Sequence, residues 1–180
     1  MSPEEIRLRS LYVYFTCLQA AEVFKDRLLD VVKQAGLPLS PHAEGLIIRE
    51  LGLLFRYWAS HQVWESLQDQ AANAKELNLA ILRLFIEGFK LPRDGSGLQY
   101  AQVANTGDMA KELNQRLREV LQIDQHLLVG EVSAGVIRWH DATLSSTKEA
   151  VALPLERIRE AVAEWLKTMA LPREDLGPSP

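Results

Sequence analysis

Cysteine occurs once in this sequence, as Cys17. An intrachain disulfide is therefore impossible, and nothing points to a stapled, secreted scaffold. No stretch approaches the ~18 consecutive apolar residues of a membrane-crossing helix. The N-terminal segment "MSPEEIRLRSLYVYFTCLQAA" superficially resembles an export signal, because Arg7 and Arg9 precede an apolar stretch. Glu4 and Glu5 spoil the basic flank, so the segment reads as part of the mature fold. These absences make the cytoplasm the expected compartment and exclude a membrane-spanning protein.

Clustered positive charge is missing too. The chain carries 20 basic and 24 acidic residues, a formal net charge of −4. Arg116 with Arg118, and Arg157 with Arg159, are two apart and point to different sides of a helix. The basic face of a nucleic-acid binder is absent, so no nucleic-acid partner is expected. A helix-turn-helix reading also fails. Its recognition helix would follow "AGLPLSP" and carry Ile47, Ile48, Leu51, Leu53 and Leu54, too apolar a load for a major groove.

Motifs for bound metals and cofactors are equally scarce. His42, His61, His126 and His140 lie in different elements, and Glu-x-x-His occurs nowhere. That removes the donor pattern of a di-iron bundle and of a zinc site. "RDGSGLQY" has two glycines beside Lys90 and Arg93 but lacks the Gly-Lys-Ser/Thr ending of a phosphate loop. No haem or flavin attachment motif is recognisable. The expectation is no cofactor and no metal. Repeats and low-complexity tracts are absent as well.

What is present is ordinary globular material, 47% hydrophobic and 24% charged. A compact fold of this length removes roughly 70% of the unfolded chain's surface from water, enough for a core without staples. Residues 1–172 read as one helical domain and 173–180 as a flexible C-terminal tail.

The periodicity predicts an all-α bundle of five to six helices with a long loop around 91–107. A first helix is expected from Pro3 to Ala35, capped by Ser2 and ended by Gly36. Along it, Tyr14, Cys17, Ala21, Phe24, Leu28, Val31 and Ala35 form a seam at spacings of three and four. A second helix is expected after a Ser40 cap and Pro41, running to about Asp69. Ile47, Ile48, Leu51, Leu54, Phe55 and Trp58 make one stripe, and Leu46, Leu53, Tyr57 and Trp64 make another beside it. A helix apolar over most of its circumference belongs at the centre of a fold. The third helix, about Asn73 to Lys90, is apolar on much of both faces. The fourth, about Asp108 to Gln122, is one-sided.

The stretch from 124 to 140 reads either as a helix capped by Asp124 or as a hairpin around Gly130 and Gly135. Helix is preferred, because its neighbours are helical. Ser146 and Glu149 offer a capping box at a helix start. Pro154 must break that helix or open the last one, which carries Leu155, Ile158, Val162, Trp165, Leu166 and Met169.

The segment "LFRYWASHQVWESL", Leu54 to Leu67, is the strongest candidate for a site. His61 and Glu65 are four apart and share a helical face, with Trp58 one turn before and Trp64 close by. Such a group can orient a histidine as a general base or a metal ligand. It can equally be the polar end of a core helix. In "RWHDATLSS", Arg138, His140, Asp141 and Ser145 supply the letters of a triad, but without the turn that exposes a nucleophile. Cys17, inside the apolar seam, reads as core.

Two functions follow as expectations. The first is a non-enzymatic interaction or regulatory module that self-associates as a homodimer through helix faces such as the Ala21 seam, with a protein partner besides. The second is a ligand binder or enzyme with an inter-helix pocket walled by Trp58, His61, Trp64 and Glu65, lidded by the Pro92 to Gly107 loop.

Overall fold

A computed structural model of the chain describes residues 1–36, 42–91, 106–121 and 129–168. Among the described residues all regular structure is helical, in six helices: α1 (Pro3–Gln34), α2 (Ala43–Ser66), α3 (Ala71–Gly88), α4 (Thr106–Leu121), α5 (Val129–Ala152) and α6 (Leu155–Thr168). The expected all-α bundle is what the chain forms. The 91–107 loop and the C-terminal tail lie largely or wholly outside the described residues, as do Ser40 and Pro41.

Local chemistry explains the helix ends. At the start of α1 the Ser2 hydroxyl accepts from the Glu5 N–H at 3.1 Å, and Pro3 opens the first turn. Glu4 and Glu5 face the positive end of the helix dipole and Lys33 the negative end. Gly36, at φ 70°, turns the chain out of the helix, a conformation natural to glycine. The end of α3 closes differently. Lys90 adopts φ 54° and the Leu91 N–H returns to the Ile86 carbonyl at 3.0 Å, the bond of a Schellman cap.

The ambiguous stretch resolves as helix from residue 129 onward. α5 runs uninterrupted to Ala152, so the Ser146–Glu149 capping box is not a helix start. Ser146 and Thr147 instead donate back to the Thr143 carbonyl, at 3.2 and 2.7 Å, which satisfies buried hydroxyls inside the helix. Glu149 accepts from the Tyr12 hydroxyl at 2.8 Å. Pro154 separates the last two helices, and its carbonyl accepts the Arg157 and Ile158 N–H groups that start α6.

Three helices form the centre: α1, α2 and α5 pack on one another. Across α1 and α2 lies α3, across α2 and α5 lies α4, and α6 rests on α1. Side chains show the directions. Phe24 meets Trp139 at 4.1 Å and Arg9 reaches Ala150, so α5 runs antiparallel to α1. The Met1 amino group donates to Asn73 and Tyr14 meets Phe85 and Phe89, so α3 runs parallel to α1. Glu4 pairs with Arg159 and Tyr12 meets Trp165 at a tilt, so α6 is parallel to α1 as well. At Gly52 a Cβ would come within 2.5 Å of the Phe89 Cβ, so only glycine lets the end of α3 sit this close to α2.

The α1 seam is consumed inside this chain. Tyr14, Cys17, Ala21, Phe24 and Leu28 are buried, covered by aromatic residues of α3 and by α5. Val31 is half-buried and only Ala35, at the end, is exposed. Most of the seam is therefore covered within the chain. The expectation that α2 is central holds, because it touches α1, α3, α4 and α5.

Candidate functional site

α2 packs on four neighbours, and the surface they leave uncovered decides the fate of the 54–67 segment. Trp58 is not on it. Its ring is 2% exposed, its indole N–H donates to the Met109 Sδ at 3.2 Å, and His140 meets it edge-on at 5.2 Å. Trp58 thus joins α2 to α4 and α5. His61 and Glu65 do face each other as their spacing requires, at 3.7 Å, but both are more than half exposed. A pair so solvated contributes little to stability and gives the imidazole no sheltered place to work. Trp64 is 46% exposed. Of the four candidates, the structure gathers His61, Trp64 and Glu65 on the surface and turns Trp58 inward.

The other candidates disperse. His140 Nδ1 lies 3.3 Å from Asp141 Oδ1, while Arg138, Asp141 and Ser145 point to solvent along α5. Ser145 is five residues from His140, well round the helix from it, so the imidazole does not address its hydroxyl. Burial pushes the Cys17 thiol up to about 12, against a smaller opposing pull from a hydrogen bond with Thr143. A thiol so placed is inert. Among the described residues, no three His, Cys, Asp or Glu side chains come close enough to hold a metal.

The structure adds residues that the periodicity did not single out. Glu50, with a side chain 3% exposed, pairs with Arg116 and locks α4 to α2. Its signal was legible: Glu50 interrupts the apolar stripe between Ile47 and Leu54, where an unpaired charge cannot stay. Arg9 is buried against α5 and donates to the Ala150 and Leu153 carbonyls.

Most informative is the outer face of the α2–α3 hairpin. The two helices run antiparallel through a tight turn, with the Gln70 N–H donating to the Leu67 carbonyl at 2.8 Å. Trp64 is half exposed near the end of α2, and Leu79, on α3, is 44% exposed. Side chains lean toward the N-terminus of their own helix, so Trp64 leans away from the turn and Leu79 leans toward it. Both are large apolar groups left exposed on the two helices of the hairpin. Leu82, Ile86 and Tyr57 are partly buried on the same two helices. Arg56, two turns before Trp64, is half-buried and makes no hydrogen bond or ion pair among the described residues, and burial alone lowers its affinity for its proton. Asn78 carries two buried amide atoms with no hydrogen-bond partner among the described residues.

The chain matches no protein-family model, no curated protein and no solved structure.

Proposed function

We propose that the chain is a non-enzymatic interaction module that binds a protein partner through the outer face of the α2–α3 hairpin. The observation that carries this reading is the exposure of two large apolar side chains, Trp64 and Leu79, both nearly half exposed, on the two helices of one hairpin. Tryptophan is enriched among the few residues that dominate binding energy, and a large apolar pair rimmed by charge is the usual anatomy of such a patch. His61 and Glu65 belong to that polar rim.

A second copy is one candidate partner for this face, since the α1 seam is largely buried within the chain. A ligand pocket walled by Trp58, His61, Trp64 and Glu65 has less support, since Trp58 is engaged by Met109 and His140.

The test is a photo-crosslinking amino acid placed at Leu79, used in the cells that make the protein. The expected result is a small set of discrete adducts that disappear with Trp64→Ala. An adduct of two chain masses identifies the partner as a second copy. Diffuse labelling that Trp64→Ala leaves unchanged sinks the interaction reading.

A further inference from the structure

We propose that α6 is a releasable latch hinged at Pro154, and that the α1 face beneath it exchanges this helix for the α6 of a second copy. This goes beyond the interaction reading and does not depend on it. Among the described helices, α1 is the one on which α6 packs closely. Only Ile158 and Val162 of α6 are fully buried. Its one side-chain polar tie to the bundle, among the described residues, is the Arg159–Glu4 pair, and both partners are at least half exposed. A pair so solvated holds little. The backbone divides at the same place. Leu153 and Pro154 alone separate α5 from α6. The Leu153 N–H returns to the Glu149 carbonyl, the Pro154 carbonyl accepts from Arg157 and Ile158, and no backbone hydrogen bond among the described residues crosses between the two sets. Proline has no N–H with which to make one. Arg9 meanwhile ties the last carbonyls of α5 to α1, so α5 stays in place when α6 leaves.

The face that α6 covers keeps its shape without it. Tyr12 is held from α5, its hydroxyl donating to Glu149 at 2.8 Å, and Phe15, one turn further along the face, is fully buried. Trp165 packs on both rings, with centroids 5.3 and 5.7 Å away. Release of α6 therefore uncovers an aromatic surface that is already built, and such a surface is costly until another helix fills it. The helix that fits it is α6. A second copy brings the same Ile158, Val162 and Trp165, so a two-fold exchange repeats every contact and changes only the hinge. With so short a connection, straightening the chain at Pro154 aims α6 away from its own α1. Tethering holds the own-chain helix at an effective concentration in the millimolar range, so the closed monomer prevails in dilute solution and exchange grows with concentration.

The experiment mixes full-length Glu4→Cys with full-length Arg159→Cys over a rising protein concentration and adds a short bis-maleimide linker. Both positions are exposed, and thermal melts check that both variants stay folded. Cys17 is buried and does not compete for the reagent. The linker joins the two variants where the α6 of one copy lies on the α1 of the other. The expected outcome is a cross-linked dimer whose yield grows with concentration and exceeds at least tenfold that of Glu4→Cys mixed with Glu119→Cys, a surface position on α4. Adding Pro154→Ala should raise the yield further, since the restored N–H favours one continuous helix that carries α6 outward. In the wild-type chain, amides in the body of α6 should exchange with deuterium together, at least tenfold faster than those of α1 beneath them. A yield no greater than that of the Glu119→Cys control overturns the exchange between copies. Amides of α6 as well protected as those of α1 overturn the latch itself.

Discussion

Arg9, in the second turn of the first helix, donates to the carbonyls of Ala150 and Leu153 at the end of the fifth. One guanidinium thus caps a helix that begins more than a hundred residues later in the chain, and Glu5 holds it in place at 2.8 Å. The positive charge sits at the negative end of the α5 dipole, where it satisfies carbonyls that have no partner within their own helix.

Removing that cap should be costly. Arg9→Ala leaves buried carbonyls unpaired and is expected to lower stability by about 3 kcal/mol, the scale for breaking a buried charged interaction. Urea unfolding measures it. A change smaller than that of a typical surface substitution would mean the carbonyls are hydrated instead.

The same contact predicts a pH dependence. The hydrogen bond from Arg9 is the largest influence on the Glu5 carboxyl and holds it below its ordinary 4.5, with burial opposing. A carboxyl bound more tightly as the anion stabilises the fold above its unfolded value, and that contribution is lost as pH falls through the lower folded value. Wild type should therefore lose stability below about pH 4.5 more steeply than Glu5→Gln, while above pH 6 the gap between them stays constant. Chemical denaturation at a series of pH values separates the two, and parallel curves throughout would remove Glu5 from the acid limb.

Ala21 lies fully buried in the seam of α1, which packs against α3 and α5. Ala21→Glu should unfold the chain, since it forces an unpaired charge and extra volume into a filled interface. Circular dichroism and analytical ultracentrifugation check this together. A folded monomer from a dimeric wild type would show that the seam belongs to a subunit interface instead.

Glu50 and Arg116 form a pair that is nearly dry on the Glu50 side. Glu50→Leu alone is expected to cost about 3–5 kcal/mol by stranding Arg116, whereas Glu50→Leu with Arg116→Met should recover most of the loss. The double-mutant cycle is the measurement. Additive losses would show that Arg116 finds equal support from its other neighbours, Glu112 among them at 4.0 Å.

Asn78 has both amide atoms buried without partners among the described residues, a standing cost in the free chain. Asn78→Leu should raise the melting temperature, by the equivalent of about 1 kcal/mol, because a similar volume is kept and two unsatisfied groups are removed. Loss of stability would place a partner for that amide in solution, such as a bound water.

Much of the architecture is written locally. The 3.6-residue periods, the Ser2 and Pro3 start, the Gly36 exit and the break at Pro154 act through neighbours a few residues away, so they survive into the structure as read. The core placement of Cys17 and the centrality of α2 follow from the same periodicity, because a helix apolar nearly all round must be covered nearly all round. The His61–Glu65 pairing follows from spacing alone.

Only tertiary structure decided what covers each face. Trp58 and Trp64 differ by six residues on one helix, yet one is locked under α4 and α5 and the other stands in solvent. Ser146 and Glu149 carry a start signal that long-range packing overrides, since continuing α5 buries Thr143, Thr147 and Ala150 against the rest of the bundle and a cap contributes only about 1 kcal/mol. The α1 seam, equally suited to a second copy, is filled by α3 and α5 because intrachain partners are tethered and need no association entropy. Periodicity records that a surface is apolar; which surface meets it depends on contacts between residues far apart in sequence, and those exist only once the helices have packed.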